Sequence, residues 1–193
     1  SCPRALPDPL PLPGRGGAGS TRQLDPYFVA PLWPDPIALA GLQTRALLES
    51  GKAKESDLAH VAATARRNAL SNPHALLARD DSPDALLAEP YLADPMHRWD
   101  CPPITAGWAA MVIAAEDVAR ELCANPAWIR GLDHRIESQS LGLRDLTTSA
   151  STALAASKAG VGAGGFDFAE LHAPFTAQEI IARSSLGLSP DVA

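Results

Sequence analysis

Among the five histidines and three cysteines of this 193-residue chain, one histidine has a setting in which chemistry is expected. His172 lies in Phe166-Asp167-Phe168-Ala169-Glu170-Leu171-His172-Ala173-Pro174-Phe175-Thr176-Ala177-Gln178-Glu179. The run reads as a short buried strand that carries an imidazole to its end and turns directly into a helix. Thr176 and Glu179 stand at capping-box spacing, and Ile180 and Ile181 begin an apolar face behind them. A polar side chain at a strand end, facing a helix N-terminus, is where open α/β folds place their chemistry. An imidazole N–H there can donate to negative charge that develops during a reaction. The competing reading is a satisfied histidine at the end of a strand.

The other reactive side chains have blander settings. His60 and His74 fall in helical segments, as surface or interhelical residues, and His134 in Asp133-His134-Arg135 follows a strand end. His97 is close in sequence to Trp99 and Cys101, but one histidine, one cysteine and two aspartates in a loop do not make a zinc site. Cys2, Cys101 and Cys123 have unrelated spacings, so neither a disulfide framework nor a metal motif is expected. None of the three precedes a Gly- and Ala-rich turn into a helix. The glycines of Gly14-Arg15-Gly16-Gly17-Ala18-Gly19 lack the flanking strand and the Lys-Ser/Thr ending of a phosphate-binding loop.

The elements that must position His172 follow from pattern. Residues 1–35 carry eight of the eighteen prolines and the glycine run, and should be extended or partly mobile. Asp35-Pro36 suits an N-cap and first helical position, opening a helix over 37–50. Ser56 is the expected cap of a second helix, with Leu58, Val61, Ala62 and Ala65 on one face and Asn72-Pro73 as its stop. Ser82-Pro83 opens a short helix to Glu89. From Gly107 the texture changes. Residues 108–114, Trp-Ala-Ala-Met-Val-Ile-Ala, form a continuous apolar run of the kind found in a central strand covered on both faces. A helix over 116–123, a strand over 128–132, a small-residue helix over 150–159 ending at Gly160, and a strand over 166–172 complete the reading. Strands alternating with helices predict an α/β fold, a mixed sheet covered by helices on both faces.

Composition excludes several classes. A net charge of −6 without a basic cluster argues against a nucleic-acid partner. No run approaches the about 18 apolar residues of a membrane span. Residues 1–20 lack the basic-then-apolar order of a signal peptide, and the cytoplasm is the expected setting.

Three ordered blocks resemble one family. The His172-Ala173-Pro174-Phe175 tetrad resembles the catalytic loop of thiolases of the sterol-carrier or lipid-transfer type, in which His-x-x-Phe replaces Asn-Glu-Ala-Phe. Residues 65–75, Ala-Arg-Arg-Asn-Ala-Leu-Ser-Asn-Pro-His-Ala, resemble a helix end of the same proteins. Residues 89–96 and 100–105 resemble the segment that leads into their Asp-Gly-Ala strand. Together the blocks span roughly residues 25–193. The resemblance implies a thiolase-like fold, with residues 36–124 carrying loop-domain helices and the last strand and helix of the N-terminal half. Residues 125–193 would begin the C-terminal half. It also implies Claisen-type acyl transfer on acyl-CoA or 3-ketoacyl-CoA thioesters in lipid or sterol metabolism. Coenzyme A would be a substrate, with no further cofactor and no metal. By the same resemblance His172 helps form an oxyanion hole, while Phe175 and its small neighbour Pro174 stand beside the acyl-thioester pocket. The family's nucleophilic cysteine before the matched region, and its Gly-His-Pro and late Cys-Gly motifs after it, have no counterpart in these residues. Ala106-Gly107-Trp108 stands where the family has Asp-Gly-Ala, and Ala173 where it has Asp or Glu. Three expectations remain open: a homodimeric acyltransferase, a steroid side-chain retro-aldolase paired with an OB-fold acyl-CoA-binding protein, and a non-catalytic thiolase-like subunit.

Overall fold

Asp35-Pro36 starts the first helix as its chemistry dictates. Asp35 Oδ1 accepts from Ala38 N (2.6 Å), and Pro36, which has no N–H to satisfy, takes the first helical position of α1 (Pro36–Glu49). The computed structural model describes residues 24–138, 140–161 and 167–188. Six α-helices and one small sheet are placed among them: α1, α2 (Glu55–Asn68), α3 (Pro83–Leu87), the hairpin β1 (Tyr91–Ala93) and β2 (Met96–His97), α4 (Glu116–Leu122), α5 (Ala150–Lys158) and α6 (Thr176–Leu186). The two strands pair antiparallel, Tyr91 with His97 and Ala93 with Met96.

The core forms where α1, α2, α3 and α6 meet. Leu47, Ala53, Leu58, Ala59, Ala62, Ala63, Leu86, Trp99, Ala177 and Ile181 make one buried cluster. The alanine stripe of α2 allows close helix approach, and Leu58 alone contributes on the order of 1.5–3 kcal/mol by leaving water. Trp99 fills the gap beside α3 and satisfies its indole by donating from Nε1 to Leu86 O (2.8 Å). A second cluster of Ala40, Met96 and Phe175 ties α1 to β2 and to the entry of α6.

Local starts differ from the sequence reading in three places. The second helix begins at Glu55, one residue before the expected cap Ser56, because Asp57 Oδ2 reaches back to accept from Lys54 N (2.8 Å). Its buried face is Leu58, Ala59, Ala62 and Ala63, with Ala65 exposed, so the stripe is rotated from the expected one. Thr176 does not cap α6. Phe175 holds the N-cap position without a side-chain cap, and the Thr176 hydroxyl is committed elsewhere. Ser82 does cap α3, accepting from Ala85 N (3.2 Å).

The expected strands are the larger correction. Residues 108–114 and 128–132 are in neither helix nor strand, and neither are residues 167–172; residue 166 lies outside the described residues, as do 1–23. Every residue from 104 to 118 is exposed, with Trp108 at 92%, Met111 at 82% and Val112 at 91%. The physical reason is that a central strand is stabilised by neighbours on both edges and by covering helices. The described residues supply no partner strand here, so the apolar pattern is present without its ladder. One close approach is fixed in this region: a Cβ at Gly131 would sit 1.9 Å from Ala159 O, at the end of α5, so only glycine fits. The whole remains a mixture of helices and a small sheet, compatible with an α/β fold. No helix among the described residues is long and apolar enough to cross a membrane.

Candidate functional site

The polar centre of the described structure is Asp100, which closes the short 3-10 turn Arg98–Asp100 after the hairpin. Its side chain is fully buried, and three polar groups from two residues face it. His97 N donates to Oδ2 (2.8 Å), the Thr176 hydroxyl donates to Oδ1, and His97 Nδ1 stands 3.6 Å from Oδ2. The His97 ring is itself buried. It stacks on Trp99 at 4.6 Å between centroids with 16° between planes, and lies 4.4 Å from the Tyr91 ring. Burial pushes the Asp100 carboxyl above the ordinary carboxylate range, and the bonds from Thr176 and His97 offset that only in part.

Beside this cluster is a cavity of about 180 Å³. α2 contributes Ala62, Ala65 and Arg66, the loop after β2 contributes Asp100, Cys101, Pro102 and Pro103, and the entry of α6 contributes Ala173, Pro174, Thr176 and Glu179. These are parts of the three sequence blocks, separated by up to a hundred or so residues in the chain and brought to one wall by helix packing. Arg66 is held at the rim by Asp81, with its Nη1 3.0 Å from Oδ2 and both side chains mostly buried. Glu179 is half-buried; burial raises its carboxyl, while Arg183 at 3.3 Å works in the opposite direction.

The sequence-predicted residues separate here. Pro174 lines the cavity. Phe175 turns away from it, buried against Ala40 and Met96. His172 is exposed in the extended segment just before Ala173, and its ring makes no hydrogen bond to a described residue. Cys101 lines the cavity, but burial and then the charges of Asp100 and Asp35 push its thiol up to about 11. At neutral pH it is a protonated thiol, far from the thiolate that nucleophilic chemistry requires. Cys123 is exposed, and Cys2 lies outside the described residues. His60, His74 and His134 are exposed. Among the described residues, no group of three or more His, Cys, Asp or Glu is arranged to hold a metal ion.

Sequence reasoning missed Asp100 and Thr176 as a pair. Thr176 was assigned to capping, and Asp100 was one acid among several in a loop. The available signal was the run Trp99-Asp100-Cys101-Pro102-Pro103, an acid embedded in apolar and rigid residues. Such an acid is buried only when donors meet it.

Comparison with known proteins adds an independent line. The chain is 30% identical over 157 residues to an acetyl-CoA acetyltransferase of Methanothermobacter thermautotrophicus, covering 79% of this chain and 41% of that protein. It is 28% identical over 151 residues to the benzoylsuccinyl-CoA thiolase subunit BbsB of Thauera aromatica, covering 76% of this chain and 39% of that one. Both similarities support the thiolase superfamily. No family model matches the chain. The chain spans about two fifths of the length of the curated relatives it matches. The thiolase similarity does not single out the sterol-carrier type. The residue-65, residue-100 and residue-174 segments converge on one cavity, whose wall includes Ala173 and Pro174 of the tetrad.

Proposed function

We propose that this chain is part of a thiolase-like acyltransferase acting on acyl-CoA or 3-ketoacyl-CoA thioesters, and that the cavity beside Pro174 receives the acyl thioester. The observation that carries the proposal is the meeting of the three thiolase-like blocks at one cavity. The names of both similar proteins, an acetyl-CoA acetyltransferase and a thiolase subunit, support the same chemistry.

In this reading an acyl group is transferred between a cysteine thiolate and the substrate carbon, and negative charge develops on the thioester oxygen. His172 offers an imidazole N–H to that oxygen, directly or through a bound water. Pro174 and the neighbouring Ala173 form the small-residue wall against the acyl chain. Phe175 acts from behind, anchoring the turn into the core through Ala40 and Met96. The raised Cys101 thiol does not serve as the nucleophile. The thiolate is therefore assigned to another segment of the thiolase fold, on this polypeptide or on a partner. Further strands of that fold would flank residues 108–114 and 128–132 and cover their apolar side chains. Branched or sterol-derived acyl chains, a homodimeric assembly and residence in the cytoplasm belong to the same reading.

A second reading has its own support. One similar protein is named as a thiolase subunit, and Cys101, the cysteine on the cavity wall, is held as a protonated thiol. The chain would then serve as a thiolase-like subunit that completes a site on its partner.

The test is steady-state kinetics of the polypeptide that carries this chain, with and without its partner, on a panel of 3-ketoacyl-CoA substrates and free coenzyme A. His172→Ala lowers kcat by about a hundredfold or more, the scale for losing one oxyanion donor. Acyl-CoA binding changes far less, because the charge develops only in the transition state. Unchanged turnover with an intact fold would remove His172 from the site.

A further inference from the structure

We propose that Asp100 is a positioning residue, which fixes the Ala173-Pro174-Phe175 turn against the cavity through the hydroxyl of Thr176. The inference deepens the acyl-transfer reading and rests on it for the purpose of the turn, though not for the geometry of the link.

Asp100 and Thr176 are 76 residues apart in sequence, and both are buried. Each has been diverted from a simpler use. Thr176 opens α6 at a position where its hydroxyl could have turned back to the helix, yet it donates to Asp100. Asp100 stays in a buried position at which a buried pair of apolar residues would cost less. A carboxylate has directional acceptor sites, and an apolar pair does not. Oδ1 takes the Thr176 hydroxyl and Oδ2 takes His97 N, so the side chain is held at both ends.

Behind Asp100 the support is rigid. His97 is stacked on Trp99, and Trp99 is fixed by its bond to Leu86 of α3. Ahead of it, Thr176 directly follows the turn whose Ala173 and Pro174 line the cavity. The chain of contacts runs from α3 through Trp99, His97 and Asp100 to Thr176, and so to the backbone that presents His172. No side-chain cap holds the start of α6; this bond and that from Gln178 Nε2 to Gln43 Oε1 (3.3 Å) are polar fixtures at that helix end, and the Thr176 bond is the one next to the turn. Packing of Phe175 fixes how deep the turn lies. The Asp100 bond fixes its rotation about that anchor.

The test uses the full chain with ¹³C-methyl alanine, reading the Ala173 methyl resonance and amide exchange over residues 173–177. Thr176→Val is nearly isosteric and removes only the donor. It shifts the Ala173 resonance and speeds exchange in the turn by tenfold or more, whereas Thr176→Ser restores both. Asp100→Ala combined with Thr176→Val loosens the turn no further than either change alone. Trp99→Phe, which removes the bond to Leu86 behind His97 and Asp100, loosens the turn in the same direction and by less than Thr176→Val. An unmoved Ala173 resonance in Thr176→Val, a failed rescue by serine, or additive effects in the double variant would each overturn the proposal. Where the complete polypeptide shows acyl transfer, Thr176→Val lowers kcat with KM unchanged, and an unaltered kcat would overturn the positioning role. Absence of acyl transfer in the wild type would sink the acyl-transfer reading, while the Ala173 measurement still decides the link.

Discussion

The helical part of the molecule and its middle segment are both rich in apolar residues, yet they end in opposite environments. In α1, α2, α3 and α6 the apolar residues recur at helical spacing, and helix–helix contact alone buries them. Residues 104–136 carry Ile104, Trp108, Met111, Val112, Ile113, Ile129 and Leu132, all exposed. The difference lies in where each element finds its hydrogen bonds. A helix satisfies its own backbone and needs only one covered stripe. A strand depends on another strand for every ladder bond, so apolar content alone cannot fold it. Exposed apolar area on this scale is of the kind that interaction surfaces carry.

The comparison is broken most severely by cutting the helical core. Leu58 is fully buried, and Leu58→Ala costs about 2–5 kcal/mol of stability, the range for buried leucines. Chemical denaturation of the chain measures it, and a cost below that of a surface change would contradict the core assignment.

The next effect is electrostatic. Burial holds the Asp100 carboxyl in the folded chain above its unfolded value. The folded state therefore binds this proton more tightly. Stability from this group is fully present below the unfolded carboxylate pKa and is lost as pH rises through the raised value. Glu179 contributes with the same sign, while Glu137 and Asp145, whose carboxyls are lowered, contribute with the opposite one. In Glu137, burial is outweighed by hydrogen bonds from Ser151 and Ser149, and in Asp145 the Thr147 bonds come first. Asp100→Asn makes the fall in melting temperature as pH rises above the ordinary carboxylate range shallower. An unchanged slope would mean that the carboxyl titrates alike in folded and unfolded chains.

The smallest effect falls in the extended middle. Met111→Ala changes stability by no more than about 0.5 kcal/mol, because its side chain is already in water. A cost comparable to that of Leu58→Ala would show that residues 108–114 are covered in solution.

What was legible in the sequence follows the same division. Asp35-Pro36, Ser82-Pro83 and the Gly160 stop were readable because caps and breakers act within a few residues. The strand over 108–114 was misplaced because its pattern reports a burial that depends on distant partners. At the site, Pro174 of the tetrad lies on the cavity wall. The Asp100–Thr176 bond joins residues too far apart for any local pattern to pair them. The role of Thr176 was hidden by its capping-box spacing to Glu179, a local rule displaced by a buried carboxylate that needed a donor.

The central claim is that an acyl thioester enters the cavity between the residue-100 loop and the turn before α6. Photoaffinity labelling tests it most directly, with an acyl-CoA that carries a diazirine on its acyl chain, followed by peptide mapping of the irradiated protein. The account predicts label within residues 99–103 and 173–179, displaced by excess acetyl-CoA. Label confined to the exposed segment 104–136, or label that acetyl-CoA does not displace, would contradict it.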